Sequence, residues 1–274
     1  MNYVQTGLDQ LWHRWLKIPY TLYIQGDTKT HNPKATLVFI HGIGGSSNAW
    51  DQVISKLTLS NERVLTLDLI GFGHSPKPRW AKYNTKLQAV ALRATLSKLS
   101  VNDNVILVGH SLGALVAIES ACLYPSMIKQ LILCSPPLYR PDTSDSLNYE
   151  RALRKIFRVI NHTPEQFIAV SAIARKYKLI NQSFDVTADN IDIFVNTLEA
   201  AVINQTALED AAKLRVPMEI VYGVIDPFVL PRNLSTLAKT NKYIHINKIA
   251  AGHEMIGTYI TPVSKIIQRA IESM

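Results

Sequence analysis

Two short segments hold residue types in an order suited to acyl transfer. Gly109-His110-Ser111-Leu112-Gly113 matches G-x-S-x-G. A serine hydroxyl becomes a useful nucleophile when it is exposed and paired with a base, and a sharp strand-to-helix turn supplies the exposure. The strained backbone of such a turn tolerates only small neighbours, which Gly109 and Gly113 provide. The apolar run 104–108 (NVILV) precedes the pentapeptide, and the nearly all-apolar segment 112–124 follows it. The second segment is His41-Gly42-Ile43-Gly44-Gly45-Ser46, directly after the run TLVFI. Acyl transfer needs N–H donors aimed at a developing oxyanion. The N–H of Leu112, at the start of the buried helix, is one candidate, and the N–H of Ile43 is the other. Gly42-x-Gly44 after a strand could also open a dinucleotide fingerprint. The third glycine is missing at the required offset, however, and Asp68, the acid after the next strand, begins a different segment.

The order of these segments resembles the α/β-hydrolase family. HG-x-G-G and G-H-S-L-G are both in place, and Asp68-Leu69-Ile70-Gly71-Phe72-Gly73-His74-Ser75 looks like the family's turn after its next strand. The resemblance runs from about residue 37 to residue 267, leaving the N-terminal segment and an insertion without family motifs. It implies a serine hydrolase whose partners follow in the order Ser, acid, His. The acid should end a late strand. Residues 218–222 (MEIVY) are that strand, and Gly223-Val224-Ile225-Asp226-Pro227 makes Asp226 the acid. Asp210 falls in a helical pattern and Glu219 within the strand. Some members take the acid from the end of the preceding strand, but Cys134-Ser135-Pro136-Pro137 offers no carboxylate. The histidine should lie in the loop after the last strand, where Ala250-Ala251-Gly252-His253-Glu254-Met255 places His253. His41, His74 and His110 belong to backbone motifs in which a histidine orders a turn, and His245 lies inside a strand. In the implied mechanism His253 takes the Ser111 proton, Asp226 holds the imidazole tautomer, and the N–H groups of Ile43 and Leu112 stabilise the oxyanion. Neither cofactor nor metal is called for.

These residues need elements to hold them. Strand candidates are residues 36–41, 63–69, 104–108, 130–134, 218–222 and 243–246, with 20–25 pairing at an edge. Several are almost continuously apolar, as expected of parallel strands covered on both faces. Trp50, Val53, Ile54 and Leu57 share one helix face, and Leu87, Val90, Ala91 and Ala94 another. The final helix should have Thr261 as N-cap and Pro262 at its first position, with Ile266, Ile267, Ala270 and Ile271 inward. The alternation lapses from about residue 135 to 214. There Tyr149, Leu153, Ile156, Phe157 and Ile160 make one stripe. Thr163-Pro164-Glu165-Gln166 reads as a capping box, and Thr187 could cap a helix through Ile203. The expected fold is α/β, a mostly parallel central sheet flanked by helices. The core spans residues 1–135 and 215–274, and residues 136–214 form a helical lid before the last two strands, over the edge where such sheets bind ligands.

Composition sets the remaining bounds. With 274 residues, 47% apolar and 18% charged, the chain is globular. The net charge of +8 comes from 29 Lys and Arg against 21 Asp and Glu, spread without a basic block or nucleic-acid motif, so no nucleic-acid partner is expected. Cys122 and Cys134 read as buried free thiols. No secretory signal and no 20-residue apolar run is visible, which points to a cytoplasmic protein. Arg151, Arg154, Lys155 and Arg158 read as a solvated face of the lid rather than a rim for acidic substrates. Leu8, Leu11, Trp12, Trp15 and Leu16 share a helix face beside His13, Arg14 and Lys17. Packing against the chain's own domain is the expectation, with membrane-surface contact the alternative. No motif speaks to oligomeric state. The reading is a serine esterase acting on a small-molecule carboxylic ester. Its alternatives are another reaction of the same triad (C–C bond or amide hydrolysis, acyl transfer) and a ligand-binding receptor that uses the pocket. Fluorophosphonate labelling and ester turnover separate enzyme from receptor.

Overall fold

The continuously apolar runs pair into one seven-stranded sheet. The computed structural model describes residues 7–140, 158, 160 and 162–273. The strands are β1 (Tyr23–Asp27), β2 (Ala35–Ile40), β3 (Glu62–Asp68), β4 (Val105–His110), β5 (Ile128–Cys134), β6 (Met218–Gly223) and β7 (Ile244–Ile249). They lie in the order β1-β3-β2-β4-β5-β6-β7. β1 runs antiparallel to β3 at one edge, and every other pairing is parallel. β2 and β4 are buried along their whole length, because helices cover both faces.

The strand pleat divides the core in two. Leu37, Phe39, Ile106, Val108 and Ile132 pack with Trp50 and Val53, around α1 (Asp51–Ile54), and with Ile260, Val263 and Ile267 of α8 (Ile260–Glu272). Val38, Ile40, Leu107, Leu131 and Leu133 face the other way, toward α2 (Thr85–Lys98), α3 (Leu112–Leu123) and α7 (Pro231–Thr240). Between β5 and β6 the described residues form α4 (Pro164–Lys176), α5 (Ile191–Thr197) and α6 (Ala207–Lys213), and no strand. α5 continues in wide π-type turns over Leu198–Ile203. α6 packs against α3 and α7.

Several expectations shift. The buried face of α2 is Gln88, Ala91, Leu92, Thr95 and Leu96, one position round from the apolar stripe. Two polar side chains with dedicated backbone partners set that rotation. Gln88 exchanges two hydrogen bonds with Ile70, and Thr95 Oγ1 accepts from Leu22 N–H at 2.8 Å. The final helix starts at Ile260, continuing a 3-10 turn over Gly257–Tyr259, so Thr261 and Pro262 lie inside its first turn. Its expected inward residues, Ile266, Ile267, Ala270 and Ile271, are buried. Thr163 is the N-cap residue of α4 with Pro164 first in the helix, but its side chain makes no capping hydrogen bond. Asn190, not Thr187, occupies the N-cap of α5, and its Oδ1 accepts from Thr187 N–H. Cys122 is exposed near the end of α3, while Cys134 is buried, and both are free.

The N-terminal face departs furthest from expectation. Leu8, Leu11, Trp12, Trp15 and Leu16 are 48–72% exposed rather than packed on the domain. Of the first insertion stripe, Ile160 is buried, and of the basic cluster beside it, Arg158 is exposed. Tyr149, Leu153, Ile156, Phe157, Arg151, Arg154 and Lys155 lie outside the described residues. No helix among the described residues is long and apolar enough to cross a membrane.

Candidate active site

Ser111 sits between the end of β4 and the start of α3 with φ +53° and ψ −114°, a strained conformation for a residue with a side chain. Its N–H donates to Cys134 O at 2.9 Å. The motif glycines are required by close approach. A Cβ on Gly109 would fall on the backbone of Gly113 and Ala114, and one on Gly113 would fall on Ile40 O and His41 O. The elbow is therefore wedged between α3 and the end of β2.

The structure brings Ser111, His253 and Asp226 together. His253 Nε2 lies 3.1 Å from Ser111 Oγ. His253 Nδ1 lies 3.0 and 2.9 Å from the two carboxylate oxygens of Asp226. A carboxylate only accepts, so Nδ1 carries the hydrogen and Nε2 is left to accept from the serine hydroxyl. The loops bearing these side chains are stitched to each other. Val224 N–H donates to Ile249 O at 2.9 Å, and Ile225 N–H to Ala251 O at 3.3 Å. The Asp226 side chain is fully buried. Burial pushes its carboxyl up, but hydrogen bonds from His253, Ser135 and the Phe228 N–H outweigh burial and hold it below the usual carboxylate range.

The other histidines have different work. His110 Nε2 donates to His253 O at 2.8 Å, so its ring fixes the loop that carries His253. Burial, with His253 beside it, pushes the His110 pKa down to about 3. His41 accepts from Leu69 N–H at Nε2 and donates from Nδ1 to Gly42 O, locking the glycine segment to the end of β3. Burial lowers its pKa as well. His74 is exposed and joins its turn through its backbone N–H to Asp68 Oδ2. His245, on the edge strand β7, bonds Glu219 of the neighbouring β6. Ile43 lines the cavity beside Ser111, and Leu112 is the first residue of α3. Among the described residues neither backbone N–H has a hydrogen-bond acceptor, and no three His, Cys, Asp or Glu side chains are grouped to hold a metal ion.

Ser111 and His253 open into a cavity of about 310 Å³. Its far wall comes from the inserted helices and is apolar: Ile160, Phe167, Phe184, Phe194, Leu198 and Val202. The segment after α4 is tied down between two core loops. Asn181 Nδ2 reaches Met255 O at 3.2 Å and Ala49 O at 3.4 Å, and Asn181 N–H donates to Glu254. Asp185 N–H donates to Gly44 O at 2.7 Å. Gly44, at φ +73°, has no room for a Cβ because the Phe184 ring lies against it.

Sequence reasoning did not single out Asn181, Phe184, Ser135 or Phe228. The Asp-Pro-Phe turn was a usable signal for Phe228, whose ring also meets His253 edge-on with centroids 4.8 Å apart. Asn181 and Phe184 belong to no motif.

The chain belongs to the alpha/beta hydrolase fold family, whose model matches residues 35–172, half of its length. It is 34% identical over 124 residues to "Probable lysophospholipase BODYGUARD 4" of Arabidopsis thaliana, covering 45% of this chain and 30% of that protein. It is 25% identical over 224 residues to Lipase 3 of Moraxella sp. (strain TA144), covering 77% of this chain and 67% of that one. The chain thus spans about a third or less of the Arabidopsis relatives it matches. A thermophilic esterase from Thermogutta terrifontis, malate bound, has the same fold, with TM-score 0.68, 21% identity and 92% of each chain covered.

Proposed function

We propose that the chain is a serine hydrolase that cleaves a carboxylic ester of small to medium size through an acyl-enzyme on Ser111. The observation that carries this reading is the hydrogen-bonded row from Ser111 Oγ through His253 to Asp226. As Ser111 Oγ attacks the ester carbonyl, His253 Nε2 takes its proton. Asp226 stays ionised, keeps the tautomer and stabilises the imidazolium. The tetrahedral oxyanion is held by the N–H groups of Ile43 and Leu112, the latter also favoured by the helix N-terminus. Collapse expels the alcohol, which receives the proton from His253. Water, deprotonated by His253, then attacks the acyl-enzyme and releases the acid.

Residues 136–214 act as a lid whose apolar wall receives a hydrophobic acyl group. Phe167, Phe184 and Phe194 around the cavity support that assignment, and a volume of about 310 Å³ suits a modest substrate. A lipase and an esterase among similar proteins support an ester as the scissile group. The test is turnover of p-nitrophenyl esters of graded acyl length by the native chain and by Ser111→Ala. The native chain should turn over the short and medium esters. Ser111→Ala should lose on the order of 10⁶ in rate, and a variant retaining most activity would overturn the reading.

A further inference from the structure

The N-terminal segment is attached to the core by its polar side. Asp9 Oδ2 accepts from Tyr20 O–H at 2.8 Å and from Trp80 Nε1–H at 3.1 Å. The His13 ring stacks on Tyr20, centroids 3.6 Å apart, and His13 Nδ1 donates to Ile18 O at 2.6 Å. These contacts turn the apolar side outward, which reverses the usual orientation of an amphipathic surface helix. Leu8, Leu11, Trp12, Trp15, Leu16 and Ile18 are all exposed. Arg14 and Lys17 are exposed among them. A contiguous patch of large apolar side chains on a surface marks a contact site.

Strand register locates the patch. Tyr23 pairs with Asp68, the last residue of β3, so the chain before β1 enters at the end of the sheet where the parallel strands finish. Ser111 is at that same end. A second exposed apolar group, Val170, Ile173, Tyr177 and Leu179, lies on and just after α4 beside exposed Lys176 and Lys178.

We propose that residues 8–18 form a docking surface for an anionic lipid bilayer. The tryptophans and leucines seat at the boundary of headgroups and acyl chains, and Arg14 and Lys17 meet lipid phosphates. Charge selects this occupant. The patch interleaves cations with tryptophan, and the one acid in residues 7–18, Asp9, is turned inward and bonded. A second copy would bring the same positive charge, and each chain already carries a net +8. The inference is independent of the catalytic reading, because it concerns binding alone.

The test is flotation of the full chain, and of its Ser111→Ala variant, with vesicles of phosphatidylcholine and of phosphatidylcholine with phosphatidylglycerol. Both proteins should float with the anionic vesicles, and Trp12 and Trp15 emission should shift to the blue. Arg14→Gln with Lys17→Gln should lower partitioning about thirtyfold, and Trp12→Ala with Trp15→Ala should abolish it. Far-UV circular dichroism matching the native chain verifies that the variants are folded. The proposal is overturned if the native chain stays with the aqueous phase, or if both variants float as well as it does. It is also overturned if light scattering shows the patch pairing two copies in place of vesicle binding. Loss of esterase activity in Ser111→Ala with flotation intact leaves this proposal standing on its own.

Discussion

The cavity is bordered by α4 and by Ser111, the residue that opens α3, and the two helices are held in different ways. α3 follows Ser111 and buries nine of its residues, with the elbow before it fixed by backbone contact to β2 and β5. α4 buries none of its residues. Its neighbourhood is tied to the core by Asn181 and by the Asp185 N–H on Gly44 O, and α4 is joined to that segment by a partly exposed Arg175–Asp185 pair at 2.8 Å. Buried backbone hydrogen bonds and close-packed glycine leave little freedom, whereas half-exposed side-chain ties leave more. The geometry of Ser111, His253 and Asp226 therefore belongs to the core, and the shape of the cavity's far wall belongs to the insertion.

That division can be broken. Asp226→Asn keeps the shape of the site but removes the acceptor that fixes the His253 tautomer. It should lower kcat on p-nitrophenyl esters about 10⁴-fold, with the ranking of acyl lengths unchanged. A change in ranking would mean that core and cavity wall are not separable. Phe184→Ala cuts into the wall alone. It should raise the rate on long-chain relative to short-chain esters about tenfold, while fluorophosphonate labelling of Ser111 keeps its native rate. Slower labelling would place Phe184 among the groups that hold the reacting atoms.

Acid titration sharpens the comparison further, because the buried histidines described here belong to the core, whereas His162 is exposed. His110 and His41 are neutral in the fold, held below the ordinary histidine value by burial, His110 at about 3. In the unfolded chain a histidine takes up a proton near pH 6.5. For His110 the unfolded state binds more protons below about 6.5 and down to about 3, so its contribution is complete above that window and is lost as pH falls through it, and His41, lowered too, acts with the same sign below about 6.5. Each contributes at most about 1.4 kcal/mol per pH unit. Asp226, with its carboxyl lowered, adds the same sign below the ordinary carboxylate value. Urea midpoints should fall on going from about pH 7 to about pH 4, and His110→Asn should flatten the fall. An unchanged slope in that variant would contradict a neutral, buried His110.

The same contrast governs what could be read from residues alone. The strands were legible because β2, β4 and most of β5 are apolar on both faces. The elbow was legible because glycine at 109 and 113 answers to backbone collisions that any side chain would cause. Asp226 and His253 were reached by carrying the partner order that the family resemblance implies onto the late strands and loops. What stayed hidden depends on pairing between distant residues. The rotation of α2 comes from Gln88 and Thr95 meeting backbone groups of Ile70 and Leu22. The outward turn of the N-terminal apolar face comes from Asp9 and His13 finding Tyr20 and Trp80. Asn181 and Phe184 look like ordinary loop residues until Ala49, Met255 and Gly44 surround them. In each case a polar or aromatic side chain chose a partner that periodicity does not encode.

Mass measurement of the intact chain after brief exposure to a fluorophosphonate tests the central claim most directly. The native chain should gain one adduct, located on Ser111 by peptide fragmentation. His253→Ala should label far more slowly and Ser111→Ala not at all. An adduct on another residue, or equal labelling of the native chain and Ser111→Ala, would contradict the assignment of Ser111 as an activated nucleophile.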